Sequence, residues 1–338
     1  MINFKNDYSD IAHPDILNEL LYYNDQHYCG YGLDYHSDKA SKLLQKLTNT
    51  TNDVFFIVGG TLTNKVIISH LLRPYEAIIS SSIGHIHVHE TGAIESLGLK
   101  IITIDSIDGK LTPELIKAEI SSYNDEHRVI PRLVYISNAT ESGLIYNKAE
   151  LKALYEFCQK NNLLLFIDGA RLGVALTSRD NDLTLEEIAK YTDAFYIGGA
   201  KNGALAGEAV IIKNKSLHDN FRYSMKRAGA LLSKGFTLGI QFNVLFKNNL
   251  FFEIAKTANE RMEYLKEKLS KNNIDYHKTQ TNILFITLDN AVVTALKTKY
   301  LFEIWESQLT TKTIRIITSY KTSESEIDEL INDLLNYI

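Results

Sequence analysis

Through the first two-thirds of the chain, short apolar runs alternate with longer mixed segments. The runs Val54 to Gly60, Glu76 to Ser81, Lys100 to Asp105 and Arg132 to Asn138 read as strands. Leu163 to Arg171, Asp193 to Gly199 and Gly207 to Lys213 continue the series. Between them lie segments such as TLTNKVIISHLL (Thr61 to Leu72) and KAELKALYEFCQKN (Lys148 to Asn161), with apolar residues at helical spacing. Strands that are apolar throughout, rather than alternating with polar residues, mark a mostly parallel sheet with helices on both faces. After about Asn243 a long helical pattern leads into NILFITL (Asn282 to Leu288) and TIRIITSY (Thr313 to Tyr320), and the amphipathic SEIDELINDLLNYI closes the chain. The pattern predicts an α/β fold: a large domain over residues 1–243 and a small C-terminal α+β domain over 244–338.

Length agrees with that division, since 338 residues exceed what one layered core usually holds. A net charge of −5 gives no electrostatic case for nucleic acid or an anionic membrane. Cys29 and Cys158 fit no metal or redox spacing and suit a reducing compartment, so a cytoplasmic location is expected. The first ten residues, MINFKNDYSD, lack the basic and apolar regions of a signal peptide, and runs such as LLLFI are too short to span a bilayer.

In open α/β sheets, ligands collect at the carboxyl ends of the strands, so functional residues are sought just after the apolar runs. Nucleotide signatures fail there. No G-x-x-x-x-G-K-[ST] occurs, and the first strand is followed by VGGTLTN rather than G-x-G-x-x-G. What remains is an acid at one strand end, Asp168, and a lysine after the next, Lys201, 33 residues later. One strand–helix–strand unit separates them, which brings both to the same sheet edge. That pair suits pyridoxal phosphate, whose aldehyde takes a lysine and whose ring nitrogen needs an anionic partner. Glycines at 199 and 203 are expected to let the backbone approach a flat cofactor. The turn at Gly60 and Thr61 opens a helix, where backbone N–H groups face an anion. An extended HIHVH would place His85, His87 and His89 on one face in the manner of a metal comb; no carboxylate or cysteine pattern completes it, so no metal is expected.

The blocks VGGTLTN, GHIHVHETGA, SNATESGLIY, FIDGARLGVAL and GGAKNGALAGEAV resemble, in order, those of low-specificity L-threonine aldolases. These belong to the β-eliminating lyase group of fold-type I pyridoxal-phosphate enzymes, and the likeness runs from Asn6 to Arg315. It implies Lys201 as the Schiff-base lysine and Asp168 as partner of the pyridine nitrogen. Arg171 and Arg315 would hold the substrate carboxylate, and Arg171 the cofactor site too. His85 would stack on the ring and serve as a base, directly or through water. Gly60 and Thr61 would cradle the phosphate, with help from Lys226 and Lys234. The family is typically a homotetramer (a dimer is the simpler form) with shared sites, so an N-terminal segment of about residues 1–45 would serve substrate and interface contacts, Tyr31 foremost.

Two positions depart from the family pattern. Asn6 stands where the family has a serine that helps bind the substrate carboxylate, and Glu141 stands where many members carry a second histidine. Both are candidate substrate contacts. The implied reaction is retro-aldol cleavage of L-threonine, L-allo-threonine or related β-hydroxy amino acids to glycine and an aldehyde. β-Elimination and racemisation on the same fold would use the same lysine and aspartate. A catalytically idle cofactor- or partner-binding relative is a third reading, and the intact Lys201, Asp168 and Arg171 speak against it. Plainer roles also exist: a helix N-cap for Asp168, a strand-edge cation for Arg315, a solvated face for Lys226 and Lys234.

Overall fold

The computed structural model describes residues 1–106 and 108–337. After the short β1 (Ile2–Asn3), the chain builds a seven-stranded sheet. Its members are β2 (Phe55–Ile57), β3 (Glu76–Ser81), β4 (Lys100–Ile104), β5 (Ile130–Ser137), β6 (Leu164–Asp168), β7 (Ala194–Gly198) and β8 (Glu208–Ile212). Their spatial order is β2-β8-β7-β6-β5-β3-β4. Parallel pairing joins β4 to β3, β3 to β5, β5 to β6 and β6 to β7. Only β8 runs against its neighbours, pairing antiparallel with β7 and β2. This is the expected α/β fold with a mostly parallel sheet.

The apolar runs are continuous because each inner strand buries both faces, whereas the edge strand β4 leaves Lys100 and Thr103 exposed. Along β6, Leu165 and Ile167 enter one apolar cluster with Val134, Ile136, Phe195 and Ile197. Leu164 and Phe166 enter the other, with Leu133, Tyr135, Ala194 and Tyr196. Each fully buried aliphatic or aromatic side chain contributes roughly 1.5–3 kcal/mol. The helix Lys148–Lys160 shows why the intervening segments coil: Asn147 and Glu150 form a capping box, and Leu151, Leu154 and Cys158 make its buried stripe. Such a cap is worth about 1 kcal/mol.

Strand ends differ from the apolar runs where glycine or an acid intervenes. The run expected as a strand to Gly60 ends at Ile57, because Gly59 adopts φ +84° and Gly60 opens the helix Gly60–Leu71. The run expected to reach Arg171 ends at Asp168.

The C-terminal region adds β9 (Ile283–Asp289), β10 (Tyr300–Leu301), β11 (Glu303–Ser307) and β12 (Thr311–Ile317). Strands β11-β12-β9 form an antiparallel sheet, while β10 pairs in parallel with β1 at the chain's start. Phe4 accordingly packs into the C-terminal core with Leu265, Leu269, Ile286, Ile314, Ile327 and Leu330. The helix Leu250–Lys271 joins the two cores: Phe251 and Ile254 pack into the large one, Met262 and Leu265 into the small one. The terminal helix spans Glu324–Tyr337, and Ile338 lies outside the described residues. Among the described residues, no helix is long and apolar enough to cross a membrane.

Candidate active site

Four adjacent strands, β3, β5, β6 and β7, deliver chemistry-bearing residues to the same edge. His85 follows β3, Glu141 follows β5, Asp168 ends β6 and Lys201 follows β7. They meet in a cavity of about 270 Å³ that is also lined by Arg171, Arg315, Lys5, Tyr8, His89, Ser137 and Glu303.

Asp168 forms its floor and is buried. The strand period places Asp168, Phe166, Tyr135 and Tyr196 on one sheet face, so the two phenol hydroxyls can reach the carboxylate. Tyr135 donates to Oδ2 at 2.6 Å and Tyr196 to Oδ1. Asn64 Nδ2 donates at 3.0 Å and the Ala170 amide at 3.0 Å. Burial pushes the Asp168 carboxyl up, but neighbouring His85 and the two hydroxyls outweigh it and hold it below its ordinary value. Asp168 is therefore a fixed anion.

Lys201 has the opposite sense. Burial, then the Arg171 charge, lower the pKa of its amine, and Asp7, Asp168 and Glu208 only partly offset them. A lysine whose pKa is lowered gives up its proton more readily than a free one, as attack on a carbonyl requires. Glu208, at the start of β8, receives the Gly199 amide at 3.0 Å and is pushed up to about 8, chiefly by burial.

Both arginines are engaged by acids. Arg171 grips Asp7 side-on, Nε to Oδ2 at 2.8 Å and Nη2 to Oδ1 at 3.0 Å, and Asn282 also donates to Asp7. Arg315 pairs with Glu303 on β11 and lies over the Trp305 ring, 5.2 Å from its centroid. Its Nε is buried with no partner among the described residues.

His85 begins a helical turn, His85–Val88, so HIHVH is not extended and the expected one-face comb does not form. Instead His85 and His89 lie one turn apart, ring centroids 5.4 Å from each other, and His87 is exposed. Gly84 starts the turn because a Cβ there would come 2.2 Å from Ser80 Oγ. His85 Nδ1 lies 2.8 Å from Oε1 of buried Glu90, which also receives Asn64 at 2.7 Å. A carboxylate thus does accompany His85, contrary to the sequence reading: donor atoms of His85, Glu90 and Asp168 lie within 4.8 Å of one another. N–H and O–H donors face both oxygens of Asp168, and Oε1 of Glu90 faces Asn64 and His85, while Glu90 Oε2 is buried with no partner among the described residues.

Other expected residues stand elsewhere. Asn6 is outside the cavity lining; its Oδ1 caps its own turn, accepting from the Tyr8 amide at 3.2 Å and Ser9 Oγ at 2.7 Å. Gly60 and Thr61 also lie outside the lining, at a helix N-terminus with no side-chain cap. A Cβ on Gly60 would sit 3.2 Å from the Tyr196 hydroxyl, which places this turn against the Asp168 network. Tyr31 lines a separate cavity with Asp34 and Arg222, and Lys226 Nζ lies 4.5 Å from its ring centroid. Lys234 is exposed in the turn before the helix Phe236–Lys247.

The role expected for Gly199 and Gly203 is corrected too. A Cβ at Gly199 would strike the Gly207 carbonyl at 2.7 Å, and one at Gly203, φ +89°, would strike Ile254 at 2.5 Å. These glycines seat the lysine loop on the protein's own backbone and core rather than clearing room for a ring. Sequence reasoning missed Asp7, Asn64, Glu90, Tyr135, Tyr196 and Glu208. Asp7 and Glu90 were visible as acids beside residues already singled out; the tyrosines read as ordinary strand residues.

The beta-eliminating lyase profile matches residues 22–291. The chain belongs to the beta-eliminating lyase family. It is 31% identical over 338 residues to a low-specificity L-threonine aldolase of Pseudomonas sp., covering 97% of this chain and 95% of the relative. The low-specificity L-threonine aldolase of Pseudomonas aeruginosa is 30% identical over 335 residues, with 97% and 95% coverage. Among solved structures, threonine aldolase from Leishmania major superposes with a TM-score of 0.97 at 43% identity, covering 99% of each chain. A beta-eliminating lyase fold thus carries the acid, lysine and arginine at one sheet edge.

Proposed function

We propose that this chain is a pyridoxal-phosphate-dependent aldehyde-lyase. It would cleave L-threonine, L-allo-threonine and related β-hydroxy amino acids to glycine and an aldehyde. One observation carries the reading: an ionised buried carboxylate, a lysine amine of lowered pKa and an arginine converge on one cavity. The two aldolase relatives and the Leishmania major structure support it.

The donor set suits the cofactor. Asp168 offers the pyridine nitrogen an anion whose position four protein donors fix. Lys201 offers the amine that binds the cofactor aldehyde. The uncapped helix start at Gly60 and Thr61 offers amides to a phosphate. His85, braced by Glu90, offers a flat ring as a lid over the cofactor. When bound, the cofactor supplies a conjugated ring that takes up the electron pair of the bond being cleaved.

Arg171, its fork steadied by Asp7, and Arg315 bind the substrate carboxylate and so orient the Cα–Cβ bond. Substrate competes with Glu303 for Arg315. Tyr31, Lys226 and Lys234 lie away from their own chain's cavity and are exposed, as suits contacts to the site of a neighbouring copy. A homotetramer or dimer with shared sites, in the cytoplasm, belongs to the same proposal. Exposed Leu21, Tyr22, Leu33 and Tyr35 in the N-terminal segment support an interface there.

Protein loaded with pyridoxal phosphate and reduced with borohydride should carry the label on Lys201 in a peptide map. L-Threonine should be consumed by the unreduced protein and not by Lys201→Ala. A label on another lysine, or an active Lys201→Ala protein, would refute the assignment.

A further inference from the structure

The carboxyl groups lining the cavity differ in what already holds them. Asp168 has both oxygens filled by donors, and Glu303 is paired with Arg315. Glu141 is held differently. Its Oε1 accepts two hydrogen bonds, from the His85 amide at 2.9 Å and from Ser137 Oγ at 2.7 Å. Nothing among the described residues donates to Oε2. The residue lines the same cavity as Lys201 and Arg171. It is thus a carboxyl group anchored by one oxygen with the other left for a ligand.

The imidazole of His85 is anchored through one of its nitrogens. Its Nδ1 is tied to buried Glu90, and Asn64 links Glu90 to Asp168. That chain fixes the ring as part of the Asp168 assembly.

We propose that Glu141 is the catalytic base that takes the proton of the substrate's β-hydroxyl, through Oε2. The assignment rests on the retro-aldol reading above. The hydroxyl O–H bond breaks and its proton passes to Glu141. The oxygen's electron pair closes the aldehyde C=O as the Cα–Cβ bond breaks, and that bond's electrons remain with the amino-acid fragment. One proton from solvent added at Cα then completes glycine, and Glu141 gives its proton up to solvent before the next substrate binds. The groups around Glu141 fit the task. Burial, then the Asp168 charge, raise its carboxyl above the ordinary glutamate value against the Ser137 hydrogen bond and the pull of His85. A base is most effective when its pKa nears the working pH.

Glu141→Gln is the decisive variant, because the amide oxygen can still accept from the His85 amide and Ser137. Threonine cleavage should fall about 10²–10⁴-fold, the usual worth of a positioned base. Exchange of the Cα proton of glycine in D₂O needs the cofactor, Lys201 and the carboxylate grip, but no hydroxyl chemistry, and should fall far less than cleavage. In cofactor-free protein, infrared difference spectra should show a carboxyl group that titrates above the ordinary glutamate range and is absent from Glu141→Gln. Should that variant fold poorly, Glu141→Asp, one methylene shorter, should still separate the two reactions. Cleavage at the wild-type rate in Glu141→Gln, equal loss of cleavage and exchange, or no such carboxyl band would overturn the assignment. A wild-type protein that exchanges glycine but never cleaves threonine would sink the retro-aldol reading, and this inference with it.

Discussion

Asp168 at the carboxyl end of β6 and Glu208 at the start of β8 are both buried, and both act electrostatically on Lys201. Their carboxyl groups nevertheless shift in opposite directions. Neighbouring His85, together with the donors that Asp168 collects, overcomes burial and keeps it ionised. Glu208 has the Gly199 amide and the charge of Lys201, and burial wins, pushing it up to about 8. Depth alone therefore does not set charge at this sheet edge; the neighbouring charge, His85 for Asp168 and Lys201 for Glu208, and the N–H and O–H groups aimed at each carboxyl do. The result is one permanent anion and one group able to gain or lose a proton near neutrality, on either side of the lysine in the sheet order.

Substitutions can break that contrast at several strengths. Asp168→Asn should have the largest effect, removing the anion while leaving its donors facing an amide. Turnover of threonine by the loaded protein should drop about 10³-fold, the scale of losing a preorganised electrostatic partner. Full turnover in that variant would mean that the anion is not what the site uses. Asp7→Asn comes next, because it leaves Arg171 with its charge buried and unpaired. Urea unfolding should show a loss of about 3–5 kcal/mol, whereas a loss typical of a surface pair would show that Arg171 readily finds water.

Tyr135→Phe sharpens the comparison by taking one donor from Asp168 and moving it toward the situation of Glu208. A loss of about 1.5–3 kcal/mol is expected, the usual worth of a hydrogen bond to a charged group, and the same substitution should raise the Asp168 pKa. No change in either would contradict the part given to these donors.

Glu208→Gln should be mildest and visible chiefly in its pH dependence. The folded pKa of Glu208 is raised, so its contribution to stability is complete below the ordinary value of 4.5 and is lost as pH rises toward about 8. Asp168 and Asp7 are depressed, so their contributions hold above the ordinary value of 3.8 and are lost only as pH falls through their folded values. Unfolding curves from pH 4.5 to 8 should therefore decline less in Glu208→Gln, by about 1 kcal/mol once compensation by Lys201 is allowed for. An unaltered slope would show that Glu208 is ionised throughout.

The fold was legible because its signal is repeated: the inner strands of the large sheet announce themselves as apolar runs with both faces buried. β11 was not legible, since EIWES is a half-exposed edge strand whose pairing with β12 is decided by tertiary contact. The Asp168 and Lys201 positions were readable from strand ends and spacing. The supporting cast was not. Tyr135 and Tyr196 look like ordinary strand residues until register puts their hydroxyls on the acid, and Asn64 reaches it across 104 positions of sequence. Asn6 shows how local contacts escape the sequence: its Oδ1 caps its own turn, and the acid next to it, Asp7, braces the arginine.

The most direct measurement is the product balance from L-threonine with purified, cofactor-loaded protein. Retro-aldol cleavage is expected to release acetaldehyde and glycine in equal amounts, with no ammonia. Ammonia and a keto acid in their place, or threonine returned only as an altered stereoisomer, would contradict the account and assign this sheet edge to elimination or racemisation.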